Sequence, residues 1–161
     1  MGMLFKIFNW KRVNIITFAI LLVLIVLNFY GVYTNRFYFL KPYNYIIPVL
    51  AVIHALYLYV IWFKIKENEL PDPKMRNLEY IVYVILLVYL FKIYDSVNVV
   101  NSYSQFQEHV LPSSFRFISI LNLVLYCSMP LLTLLSFWYR KKLIGEYNFE
   151  NYNNNLNIWQ E

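Results

Sequence analysis

Lys92, Asp95 and Asn98 recur at i, i+3 and i+6 inside an otherwise apolar stretch, Glu79 to Ser102. On a helix that spacing puts all three on one face. A cation three residues from a carboxylate in an apolar medium is the pattern of a neutralised pair, a proton relay or an ion path. Three more polar side chains, Asn28, His54 and Asn122, each stand within another apolar stretch. A histidine paired with a carboxylate at low dielectric titrates in a pH-sensitive way, which makes His54 with Asp95 the sharpest candidate pairing. The bland alternative is polar glue, in which such side chains hydrogen-bond between helices and carry nothing.

Other chemistries find less support. A bis-histidine haem site needs a second histidine at matching depth, and the only other one, His109, falls in a polar loop. Ser102, Ser104 and Ser113 lie near Glu108 and His109 in sequence, but adjacency in sequence is not triad geometry. Glu67, Glu69 and Asp72 share a polar segment with lysines and read as a solvated mixed-charge face rather than a metal cluster. The single Cys127 excludes an intrachain disulfide and any CxxC site. No Lys/Arg-rich run with interleaved aromatics points to nucleic acid. The expectation is therefore no catalytic set, no metal and no cofactor.

The elements that must position these residues follow from hydropathy. Hydrophobic residues make up 60% of the chain and charged ones 14%, against roughly 45–50% and 25% in globular domains. The apolar run Tyr80–Phe91 covers only about 18 Å as a helix. A bilayer core is about 30 Å thick, so a spanning helix must continue to roughly Val100 and carry Lys92, Asp95 and Asn98 with it. The same reasoning predicts an all-α fold, a four-helix up-down transmembrane bundle with helices at about 13–32, 45–63, 78–100 and 115–139. Residues 1–142 form the membrane domain and 143–161 an Asn-rich polar tail with Tyr147, Phe149, Tyr152 and Trp159.

Local signals refine the picture. Lys6, Lys11 and Arg12 anchor the first helix at an interface, and that helix is too long for a cleaved signal segment. Pro48 falls in the first turn of the second helix, where a missing N–H costs little. Asn77 is placed to cap the third helix. Pro130 lies inside the fourth, where it predicts a kink and a freed carbonyl on Tyr126. Ten Lys and Arg flank the helix ends on the side of the chain termini against three on the other, so both termini are expected to face the cytoplasm or its equivalent. By rise per residue, Asn28, Asp95 and Asn122 then lie about 7 Å inside the outer boundary, with His54 and Lys92 at about 12 Å. Four helices thus each supply the same layer.

The functional expectation is a small integral protein of a bacterial inner membrane, or alternatively an organellar inner membrane. It is read as a non-catalytic accessory or scaffold subunit, in contact with lipid and with partner subunits or copies of itself, because nothing catalytic is visible. The alternative is a homo-oligomeric channel or ion- or proton-coupled transporter using the polar layer. A membrane enzyme using one of the histidines ranks third.

Overall fold

A computed structural model describes residues 9–106 and 111–147. The expected positions Glu108 and His109, and the tail beyond Tyr147, lie outside the described residues. Four helices dominate: α1 (Trp10–Phe29), α2 (Ile46–Glu67), α3 (Pro73–Ser102) and α4 (Phe115–Leu143). A two-residue ribbon, β1 (Tyr30–Gly31) antiparallel to β2 (Arg36–Phe37), and a 3-10 turn, Pro42–Tyr45, join α1 to α2. Sequential helices pack side by side and α4 closes against α1, giving a closed four-helix bundle. Each helix is long and apolar enough to cross a membrane. Only 22–33% of the residues in their apolar windows are buried inside the bundle. The remainder, including Val52, Phe91 and Leu131, is the outward surface of an integral membrane protein, since water would not tolerate so large an apolar face.

The helix boundaries are chemical. The Asp72 side chain accepts the Met75 N–H at 2.7 Å, and Pro73 follows as the first helical residue. Helix α3 therefore starts at Pro73, five residues before the expected start at 78, and Asn77 lies within it, so the expected Asn77 cap is replaced by Asp72. Helix α2 ends where Asn68 turns left-handed at φ 52°. Helix α4 runs through Pro130 from Phe115 to Leu143. Leu21, Leu24, Ala51, Leu58, Ile85 and Met129 pack together with Tyr89 and Tyr126 in the largest apolar cluster.

Lengths differ. At 1.5 Å per residue, α1 and α2 (20 and 22 residues) reach about 30–33 Å, whereas α3 and α4 (30 and 29 residues) reach about 45 Å. At the end away from the chain termini, the segment between α1 and α2 rises to cover the excess. Tyr33 bonds Ser102 at 2.9 Å and packs on Phe115 with centroids 5.2 Å apart. The ribbon needs Gly31 because the Tyr38 ring lies over it; a Cβ there would come within 2.5 Å of that ring.

Candidate functional site

Glu79 lies in the second turn of α3 because the Asp72 cap starts that helix early. Arg140 lies in the last turn of α4. The two helices are antiparallel neighbours, so both residues fall at the end of the bundle that carries the chain termini. Their side chains are nearly sealed, 3% and 9% exposed. The guanidinium grips the carboxylate with two parallel bonds, Nε to Oε2 at 2.8 Å and Nη2 to Oε1 at 2.6 Å. This fork geometry is the strongest a carboxylate can receive from a side chain.

Two hydroxyls complete the shell. Tyr57 of α2 donates to Oε2 at 3.0 Å and Tyr147, beyond α4, donates to the same oxygen at 2.8 Å. The chain reaches back to place Tyr147 through Gly145, whose φ of 112° disfavours any side chain. Arg140 holds this return with a bond from Nη1 to the Gly145 carbonyl at 3.1 Å, and its guanidinium lies 4.3 Å from the centre of the Tyr147 ring. Burial, then the hydrogen bond to Glu79 and that carboxylate's charge, push the Tyr147 phenol above its ordinary range. It stays a donor. With four donors on its two oxygens, Glu79 ties together α2, α3, α4 and the segment beyond α4 as a clamp.

A second tie joins α2 to α3 nearby. Lys64 contacts Asp72 at 2.6 Å and Glu69 at 2.9 Å. Partial burial works against ionisation of Asp72, but the bonds from Lys64 and the Met75 N–H outweigh it and hold the carboxyl below its usual range.

The residues singled out by sequence separate into two places. His54 is fully buried, with Nδ1 2.9 Å from the Tyr89 hydroxyl, while Nε2 meets no hydrogen-bond partner among the described residues. Its observed partner is Tyr89 rather than Asp95. The Lys92 side chain, only 15% exposed, donates to the Tyr43 hydroxyl at 2.7 Å and lies over that ring. Its contact with Asp95 is looser, at 3.7 Å, and the Asp95 side chain is 53% exposed. Asn98 is exposed and Asn122 half-buried. Asn28 donates to the Asn44 carbonyl, closing the link between α1 and α2. Among the described residues, no three His, Cys, Asp or Glu side chains gather to hold a metal ion.

The chain matches no family model, no curated protein and no solved structure. Its chemistry must be argued from this geometry.

Proposed function

We propose that the protein is a non-catalytic scaffold subunit of a larger membrane complex, displaying its C-terminal segment to a partner. The observation that carries this reading is the clamp. It consumes a buried carboxylate, an arginine and two tyrosines, and its one outward effect is to hold Tyr147, from which residues 148–161 continue. Those residues combine Asn with Phe149, Tyr152 and Trp159, a composition suited to ordering on a partner surface. The basic bias supports placing both termini on the cytoplasmic or equivalent side of a bacterial or organellar inner membrane.

Deleting Asn148 to Glu161 leaves the clamp whole. The expected result is a bundle that still inserts and unfolds normally in detergent but no longer co-purifies a partner. Unchanged partner recovery refutes the reading.

The transport alternative draws its support from His54 and Tyr89 in the core. The Lys92 side chain, though only 15% exposed, is held by Tyr43, and that of Asp95 is 53% exposed, so this reading rests first on His54. Loss of ion or proton flux in a folded His54→Gln variant, with normal abundance, would favour it over the scaffold.

A further inference from the structure

Between α2 and α3, at the end carrying the chain termini, lies a groove of about 610 Å³. That is within the roughly 300–1,000 Å³ typical of small-molecule sites. Its walls are Leu56, Val60 and Phe63 of α2 facing Leu78 and Ile81 of α3. The spacing of the α2 residues, i, i+4 and i+7, makes a straight apolar stripe. Leu56 to Lys64 covers about 12 Å along the helix axis. The floor is apolar and the mouth is charged, with Lys64, Glu69, Asp72 and Lys74 lining it.

This division is that of an amphiphile: a hydrocarbon channel opening at a polar rim. The charges at the rim narrow the class. Two lysines face two carboxylates, so the rim carries no net charge and offers no general attraction to an anionic headgroup. Lys64 is already committed to Asp72 and Glu69. One lysine shared by two carboxylates leaves one negative charge over, and Glu69 is the more exposed of the two at 46% against 30%, while Lys74 is exposed at the start of α3. One cation and one anion on the rim of the same groove complement a headgroup that itself carries both signs.

We propose that this groove binds one zwitterionic aminophospholipid, with its phosphate at Lys74, its ammonium at Glu69 and one acyl chain along the Leu56–Phe63 stripe. A primary ammonium can donate hydrogen bonds to the carboxylate, which a trimethylated one cannot. Phosphatidylethanolamine chemistry is therefore preferred over phosphatidylcholine, and over phosphatidylglycerol, which lacks the cation. The site rests on the apolar walls and the charged rim. It does not depend on whether the C-terminal segment recruits a partner.

The test is native mass spectrometry of the delipidated full chain in mild detergent, titrated separately with phosphatidylethanolamine, phosphatidylglycerol and phosphatidylcholine. One saturating adduct is expected with phosphatidylethanolamine, at least tenfold tighter than with the other two. Lys74→Glu, at an exposed position that leaves packing intact, should abolish that preference. Val60→Trp should fill the groove and remove the saturating adduct, whereas Leu22→Trp on exposed α1 surface should leave it unchanged. Equal binding of all three lipids, a preference that survives Lys74→Glu, or a saturating adduct retained in Val60→Trp each overturns the proposal. Displacement of the lipid by a co-purifying protein helix that is itself lost in Val60→Trp would assign the groove to a partner instead.

Discussion

Glu79→Gln is the most demanding test of the clamp. The substitution keeps the side chain's shape but replaces an oxygen that accepts a bond from the arginine with an amide that donates. Arg140 keeps its charge in a setting where its side chain is only 9% exposed. Breaking a buried pair by removing one partner costs about 3–5 kcal/mol. The site lies near the end of the bundle, where the freed guanidinium can turn toward water, so the lower end, about 3 kcal/mol, is expected. At 1.36 kcal/mol per decade, that is roughly a hundredfold shift toward the unfolded state.

Removing both charges with Glu79→Leu and Arg140→Met should cost less than either single change, because neither charge is orphaned. The Tyr57 and Tyr147 hydroxyls then both lack that acceptor; the part-buried Tyr147 can turn to water, so the buried Tyr57 carries the main penalty of about 1–3 kcal/mol. Adding Tyr57→Phe should recover most of it. Equilibrium unfolding of the purified bundle in mixed detergent micelles, followed by tryptophan fluorescence, reads these differences directly. A Glu79→Gln variant within about 0.5 kcal/mol of the parent, a loss too small for any buried pair, would refute the argument. So would single-variant costs that simply add in the double variant.

Asp95→Asn should behave in the opposite way. With a half-exposed side chain and a 3.7 Å contact to Lys92, the pair should contribute no more than about 1 kcal/mol, and the same unfolding assay should scarcely move. The Lys64–Asp72 tie makes a pH prediction. Because the folded Asp72 carboxyl is depressed, its contribution is fully present above the ordinary aspartate value of about 3.9 and is lost as the pH falls through the lower folded value. The protection factor of the Met75 amide should fall on acidification across that window in the parent, and Asp72→Asn should remove the dependence.

The four helices were legible because runs of apolar residues leave little choice of structure in a chain this hydrophobic. Their ends were less so. Hydropathy placed the start of α3 at the apolar run, while the Asp72-Pro73 pair, a cap followed by a first-turn proline, sets it at Pro73. That shift turns Glu79 from a boundary residue into a member of the second turn. Arg140 stands with Lys141 and Lys142 at the close of the fourth apolar run, where a basic residue is ordinarily an interfacial anchor. The signal that would have joined the two was available. In an antiparallel pair, residues counted from the same end lie level, and an acid just inside one helix opposite a base just past the other is a candidate bridge. Sequence alone does not say which way Lys92 extends. The Tyr43 hydroxyl, in the Pro42–Tyr45 turn, takes its ammonium at 2.7 Å, closer than Asp95 at 3.7 Å.

The clamp also sets a timetable for biogenesis. Arg140 lies 61 residues after Glu79, so at about 5–20 residues per second a ribosome needs roughly 3–12 s between making the acid and making the base that closes on it. Through that interval the newly inserted third helix carries an unanswered carboxylate near the membrane boundary. A chain that stops before its last helix never loses it. The same residue that secures the finished bundle therefore marks an unfinished one, giving membrane quality control a chemical feature by which to tell the two apart.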